Sequence, residues 1–276
     1  MSFPEGSSAQ PGLPGFLSST LTIMRLTLRR TLRGSKVKVA LVAAILVVLF
    51  PAVIALAKDE AEAVEVVTAG IDWGFYRLLV FLLPLMFTVG LVSEETEART
   101  LHFLAMRPVQ RASIALGKYI IGVGASLAVM WAALLLLHLI GFAATPTLLV
   151  DKFADTARAG GAASLLLVTY SAVTLFWGVL VPEAAAMVSV VWLGFVEWFG
   201  TLLPSVFRFM SMNHFARELG GLERAGWDPV ELGPIVVEVP FVELHYCALI
   251  IASEWLVFLV LALVIMQYAQ LRFGRA

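Results

Sequence analysis

Two glutamates, Glu197 and Glu254, stand inside long apolar stretches of the chain, and each is followed directly by tryptophan. If these stretches cross a bilayer, a carboxylate inside them is costly and usually faces a cavity or a partner. We therefore interpret the pair as the polar lining of a substrate path, or as a gate. A structural hydrogen bond between helices, or a carboxylate at the membrane interface, is the alternative. Candidate partners are Arg208, His138 and His245.

The histidines offer little further chemistry. His214 and Glu218 would share one helical face, and Glu243 lies close to His245 in sequence. These four residues lack an HExxH motif or the ligand spacing of zinc sites, so we expect no metal there. An intramembrane enzyme built on the histidines would likewise lack a catalytic spacing. His102 lies in a charged segment and is better explained as a contact residue.

A nucleotide-binding loop is also missing from the sequence. Gly117-Lys118 resembles the end of a phosphate-binding loop, but Ala112 stands where the first glycine of the loop belongs, and no strand precedes it. The chain has no GxSxG, no CxxC and no Ser/His/Asp order. We therefore expect no enzymatic activity and no cofactor on this chain. If it works with ATP and Mg²⁺, another chain binds them.

The segment 93–118 is the most informative one, because it is polar and lies between two apolar runs, Gly74–Val92 and Ala112–Phe142. Ser93 can cap a helix whose acidic residues lie at the positive end of the helix dipole. The predicted helix carries Glu94, Glu95, Glu97, Arg99, Thr100, Leu101, Leu104, Arg107 and finally Pro108, which ends it. A connector between two spans needs no such design, so we interpret this helix as a docking element for a cytosolic partner. A solvated connector is the alternative.

The composition indicates an integral membrane protein. Of the 276 residues, 60% are hydrophobic and 14% are charged, whereas soluble domains are about 45–50% apolar and about 25% charged. We expect a lipid bilayer around the chain and no nucleic acid. The single cysteine, Cys247, excludes an intrachain disulfide, and we expect it to be buried like a small apolar side chain.

About 20 apolar residues cross the hydrocarbon core of a bilayer, and by this criterion the fold is all-α with six membrane-spanning helices. The predicted spans are approximately 37–57, 73–92, 113–142, 162–181, 184–203 and 246–268. The short connection at 181–183 forces spans four and five into an antiparallel hairpin. Residues 1–15 are rich in serine, proline and glycine and are predicted to be a disordered tail. Residues 16–276 then form a single membrane domain.

The placement of charge predicts the orientation. Cationic residues precede span one, lie between spans two and three, and follow span six. An even number of spans puts these three regions on one side, which the positive-inside rule assigns to the cytosol. The acidic run from Asp59 to Asp72 falls on the opposite side. We therefore predict a multi-pass protein of the plasma (inner) membrane with both termini in the cytoplasm.

Two further segments lie at the membrane surfaces. From Phe16, leucines form one helical stripe and Arg25, Arg29 and Arg33 form another, which predicts an amphipathic helix on the membrane face with its basic side towards anionic headgroups. An ordinary cytosolic helix is the alternative. On the outer side, residues 204–245 form the longest segment that contains polar residues. We expect short helices packed on the outer face there, some dipping into the bilayer where protein covers them.

The segment 93–118 resembles the cytosolic loop of type-2 ABC-transporter permeases, the membrane subunits of exporters whose ATPase is a separate polypeptide. That family commonly shows an acidic start, a Thr-Leu pair, a leucine, a proline and a Gly-Lys that opens the next span. The matching residues are Glu94, Glu95, Thr100, Leu101, Leu104, Pro108, Gly117 and Lys118. Asn213-His214-Phe215 is similar to a looser family pattern. Arg99 departs from the glycine that many relatives have before the Thr-Leu pair.

The resemblance implies a division of labour between chains. Residues 94–107 would be the coupling helix, seated in a groove of the ATPase, and the N-terminal amphipathic helix would be the elbow helix. Two permease subunits, identical or paralogous, would work above two ATPase subunits that bind ATP and Mg²⁺. The implied function is ATP-driven transport, with export as its direction. A membrane anchor or scaffold that recruits an ATPase to a non-transport complex is the alternative.

Overall fold

The structure, a computed structural model, describes residues 16–91, 111–198, 200, 209–222, 230–232, 235–237 and 242–268. In chain order the elements are α1 Phe16–Arg33, α2 Ser35–Leu56, α3 Glu60–Gly70, the π-helical segment π1 Ile71–Leu79, α4 Val80–Phe87, α5 Arg111–Gly141, α6 Pro146–Asp151, α7 Phe153–Leu180, a 3₁₀ turn Pro182–Ala184, α8 Ala185–Val191, π2 Trp192–Trp198, α9 Met212–Gly220, β1 Val230–Leu232, β2 Ile235–Val237 and α10 Leu244–Tyr268. The predicted tail, 1–15, and the predicted coupling helix, 94–107, lie outside the described residues.

Within the described part of the chain, five helices are long and apolar enough to cross a membrane: Ser35–Leu56, Glu60–Phe87, Ala112–Gly141, Phe153–Leu180 and Leu244–Tyr268. They coincide with predicted spans one, two, three, four and six, as expected of a multi-pass membrane protein. Of predicted span five, 184–203, the structure describes the helical segments α8 and π2, and this described part is shorter than the same length criterion requires. The 3₁₀ turn reverses the chain so that α8 packs against α7.

The second long apolar helix begins at Glu60, well before residue 73, where the sequence predicts that the span starts. Its first part, α3, buries Ala63 and Val67, while Glu60 and Glu62 are exposed. The acidic residues lower the mean hydropathy of this part and hide it from a search for apolar runs. Glu60, Glu62 and Glu65 are all exposed, however, while Ala63 and Val67 of the same helix pack into the bundle.

Spans one and two pack closely because span two carries glycines where the helices meet. A Cβ atom on Gly74 would lie 2.5 Å from Val47 Cγ1, and one on Gly70 would lie 2.8 Å from Pro51 Cβ. Small residues let helix backbones approach in a membrane, where packing contacts drive the association of helices. These two glycines therefore set the distance between α2 and the start of span two.

The N-terminal helix α1 packs on the first half of α5 and leaves its leucines outside. Ser19 and Thr20 are buried, and a Cβ atom on Gly117 of α5 would lie 3.0 Å from the Thr20 carbonyl oxygen. Leu17, by contrast, is 75% exposed. An exposed leucine stripe beside a basic one is typical of a helix in the membrane interface. Gly34 alone separates α1 from α2.

The core of the bundle is built around α7. In the most apolar stretch of α7, 67% of the residues are buried, whereas the corresponding share in α10 is 22%. The short helix α9 packs against α7 and α10 and also contacts both described π-helical segments. The segment between spans five and six thus contains a buried helix, as predicted. It also contains the antiparallel pair β1 and β2, which the all-α prediction did not include.

Candidate functional site

A buried carboxylate lies in π2, in the described part of predicted span five. Glu197 lies in π2, and only 1% of its surface is exposed. Its Oε2 atom accepts hydrogen bonds from the Tyr170 hydroxyl at 2.8 Å and from the Ser211 hydroxyl at 3.0 Å. It also accepts from the backbone N–H groups of Met212 at 2.8 Å and Asn213 at 3.3 Å. One carboxylate oxygen thus gathers four donors from α7 and from the start of α9.

These hydrogen bonds make Glu197 the cap of α9. The first N–H groups of a helix have no intrahelical acceptor and are normally bound by the side chain of the N-cap residue. Ser211 occupies that position, but its side chain makes no capping bond to the helix. The carboxylate from the neighbouring span takes this role, and the helix dipole favours its negative charge there. The donors and the dipole together offset the cost of burying the carboxylate.

The other end of α9 is held to span two by an ion pair. The Arg217 Nε atom lies 2.6 Å from Asp72 Oδ1, and Arg217 Nη2 donates a hydrogen bond to Asp72 Oδ2 at 3.0 Å. Only 10% of the arginine side chain and 15% of the aspartate side chain are exposed. Arg77, also in π1, places its Nε atom 3.5 Å from Asp72 Oδ2. The charge-assisted hydrogen bond from Arg217 Nη2, with the close ion pair beside it, holds this end of α9 against π1.

At its capped end, α9 is also bound to the backbone of π1. The Asn213 side-chain amide donates a hydrogen bond to the Tyr76 carbonyl oxygen at 2.8 Å. The Tyr76 hydroxyl in turn donates to the Ala159 carbonyl oxygen on α7 at 2.7 Å. Gly220 passes so close that a Cβ atom there would collide with the Tyr76 hydroxyl. π-Helical turns are rare and occur often at functional sites, and both described π-helical segments bind α9.

Glu254, the second predicted carboxylate, belongs to the same region. It lies on α10, within electrostatic range of Glu197 and of the Tyr170 hydroxyl. Its Oε2 atom is buried and has no hydrogen-bond partner among the described residues. The structure therefore brings the two predicted carboxylates together, but their surroundings differ. Glu197 is held by several donors, whereas Glu254 keeps a buried oxygen that a proton or a ligand can bind.

The middle of α9 is polar and buried, which is unusual for a helix packed among membrane spans. The His214 Nε2 atom lies 3.9 Å from Glu218 Oε2, and the two side chains are 2% and 5% exposed. These two residues share a helical face, as predicted. Cys247 of α10 is fully buried, also as predicted, and its Sγ atom lies 4.0 Å from Glu218 Oε2. Within the described ranges, no group of three His, Cys, Asp or Glu residues could hold a metal ion.

The partners predicted for the two carboxylates differ from the observed ones. His138 bonds with the Thr156 hydroxyl at 2.9 Å, and His245 lies 3.2 Å from Glu243. Both histidines thus have other partners, and the prediction that they pair with the two carboxylates was wrong. Arg208, the third predicted partner, lies outside the described residues.

Sequence reasoning missed the pair of Asp72 and Arg217, and it missed Tyr170 and Ser211 as donors. A signal for the ion pair was present, because opposite charges occur in two otherwise apolar or buried segments, but nothing in the spacing joined them. The predicted docking residues lie outside the described residues, so their role stays a prediction: Glu94, Glu95, Glu97, Arg99, Thr100, Leu101, Leu104, Arg107 and Pro108.

Taken together, the contacts join one end of four predicted spans through a single short helix. α9 is capped by span five, ion-paired with span two, packed against span four and packed against the start of α10. We call this arrangement the α9 cluster. Any change in the spacing of these spans must move α9 or release it.

The sequence of most of this bundle matches the model of a known protein family. The profile described as ABC-2 family transporter protein matches residues 31–196, more than half of the chain. The matched region runs from the end of α1 into π2, so it ends just before Glu197, and α9 and α10 follow it. No curated protein sequence matches the chain.

Proposed function

We propose a function from one premise: this chain belongs to the ABC-2 family of transporter proteins. The family match over residues 31–196 is the observation that carries the proposal. It confirms the resemblance seen in the segment 93–118, and the five apolar helices fit a membrane subunit. From this we infer that the chain is the permease of an ABC transporter.

In this proposal, ATP is bound and hydrolysed by a separate ABC ATPase, together with Mg²⁺. Two permease chains and two ATPase chains form the working unit in the inner membrane, with both permease termini in the cytoplasm. The coupling helix, 94–107, sits in a groove of the ATPase and moves with it. The sequence supports this part of the proposal, since the segment is predicted to form a capped helix with separated charges and an apolar face, and the chain carries no nucleotide-binding motif of its own.

Transport in the export direction would follow from rearrangement of the spans. When the ATPases close, the coupling helices tilt the spans, and the bundle changes from inward-facing to outward-facing. The α9 cluster supports a role at the outer end, because it joins spans two, four, five and six. Glu197 and Glu254 are the candidate residues of the substrate path.

The docking assignment is tested by placing a charge on the apolar face of the coupling helix. Leu101→Asp or Leu104→Asp should leave the protein inserted but abolish co-purification with the ATPase and transport, because a buried charge in the groove has no partner. Leu101→Met and Leu104→Met keep an apolar side chain of similar volume and serve as matched controls. Unchanged ATPase binding and unchanged transport in both Asp variants would reject the assignment.

The substrate path is tested separately with the double variant Glu197→Gln and Glu254→Gln. It should change transport while leaving ATPase co-purification intact, because in the predicted topology both residues belong to the outer half of the membrane and the docking segment belongs to the cytosolic side. Glu65→Gln, on the exposed side of α3, is the control for loss of one carboxylate. Transport at the wild-type rate in the double variant would assign the two carboxylates a purely structural role.

A further inference from the structure

A cavity of about 160 Å³ lies beside the C-terminal end of α9, at the same end of the bundle as the α9 cluster. It is enclosed by the start of span two, the residue after α5, the beginning of α7 and the turn after α9. Its lining residues are Val64, Val67, Thr68, Ile71, Phe142, Lys152, Asp155, Thr156, Arg158, Ala159, Gly220, Gly221 and Leu222. In the predicted topology this end of the bundle faces the outside of the cell.

One wall of the cavity is apolar and belongs to the packed bundle. Val67, Ile71, Phe142 and Ala159 line it, and each of them is at most 5% exposed. An apolar cavity of about 150 Å³ in a protein interior has room for one benzene molecule. This wall therefore suits an apolar group about as large as a single aromatic ring.

Arg158 supplies a cation at the rim, and only part of its guanidinium group is used by the fold. Its Nε atom donates a hydrogen bond to the Leu219 carbonyl oxygen at 2.8 Å. This bond satisfies a carbonyl at the negative end of α9 and orients the guanidinium plane. Among the residues that the structure describes, the Nη1 and Nη2 atoms have no hydrogen-bond or ion-pair partner. Two such N–H groups side by side are suited to the two oxygens of a carboxylate.

The other polar groups of the cavity favour an anion over a cation. Lys152 and Asp155 also line it, but they neutralise each other, since the Lys152 Nζ atom lies 3.2 Å from Asp155 Oδ2. The hydroxyls of Thr68 and Thr156 are already bonded within the bundle. Arg158 therefore carries the excess charge. An amine in the cavity would meet only a paired carboxylate, whereas a carboxylate would meet unused donors.

We propose that this cavity binds a small organic carboxylate on the outer side of the membrane, with its apolar body against Phe142 and its carboxylate on Arg158. Small-molecule sites commonly combine an apolar wall with a few polar groups that fix the orientation of the ligand. The site is independent of the proposed transport function, since it needs neither ATP nor a second subunit. Because Gly220 and Leu222 line the cavity, the ligand would also connect the end of α9 to spans two and four.

The test uses the full-length chain purified in detergent, and it titrates ligand binding by saturation-transfer difference NMR. Benzoate is the probe. Benzyl alcohol has the same ring without the charge, and acetate has the carboxylate without the ring. Benzoate should bind at least tenfold more tightly than either, because it alone uses both the apolar wall and the arginine. Equally tight binding of benzyl alcohol or of acetate would leave one half of the site without a role and would overturn the proposal.

The role of the arginine is tested with Arg158→Gln, which should weaken benzoate binding roughly tenfold to a hundredfold through loss of a charge-assisted pair. The side chain is exposed, so the variant should fold. Lys58→Gln removes an exposed cation just before α3, outside the cavity, and is the matched control. Unchanged binding in Arg158→Gln would overturn the proposal, and so would an equal loss in Lys58→Gln.

The role of the cavity itself is tested without a change of charge. Thr68 is an exposed lining residue, so Thr68→Phe should place a ring in the cavity and abolish benzoate binding. Ala61→Phe adds the same ring at an exposed position of α3 that does not line the cavity, and it should leave binding intact. Loss of binding in Arg158→Gln but not in Thr68→Phe would mean that benzoate binds the arginine outside the cavity, which would also overturn the proposal.

Discussion

Replacement of Glu197 by alanine should release α9 from the bundle while leaving the long helices in place. The reason is that one oxygen of Glu197 accepts hydrogen bonds from the Tyr170 and Ser211 hydroxyls and from two backbone N–H groups of α9. Hydroxyls can rotate to other acceptors, and Ser211 already lies 2.9 Å from the Glu197 carbonyl oxygen. The two backbone N–H groups cannot rotate, so they lose their acceptor outright.

The size of the effect follows from those two N–H groups. A buried donor left without an acceptor costs about 1–3 kcal/mol, and the lost negative charge at the helix N-terminus costs about 1 kcal/mol more. Part of this is regained because a buried carboxylate no longer has to be desolvated. We expect the opening free energy of α9 to fall by about 3 kcal/mol in Glu197→Ala, and by about 1 kcal/mol in Glu197→Gln, which keeps an acceptor oxygen.

The single cysteine provides the assay. Cys247 is fully buried, and its Sγ atom lies 4.0 Å from Glu218 of α9, so release of α9 should expose the thiol. The rate of modification by N-ethylmaleimide in native membranes then reports local opening. A loss of about 3 kcal/mol corresponds to roughly a hundredfold faster labelling, and Glu197→Gln should label only several-fold faster than the wild type.

Controls separate local opening from general unfolding. Glu65→Ala removes an exposed carboxylate from α3 and should leave the labelling rate unchanged. Labelling in denaturant must reach the same extent in all variants. If Glu197→Ala inserts normally and Cys247 still reacts at the wild-type rate, then Glu197 does not hold α9 in place, and the capping argument is wrong.

Two further predictions concern other contacts of the bundle. Asp72→Asn and Arg217→Gln should each speed the labelling of Cys247. In the double variant, the loss of opening free energy should be smaller than the sum of the two single losses by about 1–3 kcal/mol. Strictly additive losses would show that the two residues do not stabilise each other. Gly74→Ala should lower the thermal midpoint of the detergent-solubilised protein, because the new Cβ would lie 2.5 Å from Val47 Cγ1 and overpacking costs about 1–3 kcal/mol. Val47→Ala in the same chain should restore the midpoint, and a Gly74→Ala variant as stable as the wild type would contradict the close helix contact.

The apolar runs and the amphipathic N-terminal segment were predictable because each depends on local composition. Span one, span three and span six need only length and hydropathy, and the helix from Phe16 needs only its periodicity. The helix of span two begins earlier than the apolar run, and the reason is physical. Glu60 and Glu62 are exposed while Ala63 and Val67 of the same helix are packed, and an average over all residues hides this difference.

The α9 cluster shows the limit of local patterns more clearly. The positions of Glu197 and Glu254 in the chain predicted buried carboxylates, and the structure places them in one region. The partner of Glu197, however, is the beginning of a helix from a later part of the chain, so it depends on packing that spacing cannot reveal. Ser211 looks like an ordinary N-cap in sequence, yet its hydroxyl donates to the carboxylate that replaces it. The antiparallel pair β1 and β2 likewise depends on a local register that helical periodicity does not encode.

The two attachments of α9 have a mechanical consequence. Asn213, beside the Glu197 carboxylate, and Arg217, on Asp72, are separated by about 6 Å of rigid helix, at about 1.5 Å per residue. A helix hardly stretches, so α9 acts as a rigid strut that joins span five, which accepts from its first N–H groups, to span two, which binds both Asn213 and Arg217. These two spans therefore cannot separate gradually. Either both attachments of α9 persist, or one of them breaks. Separation at this end of the bundle should therefore have a threshold, below which the spans move as one body.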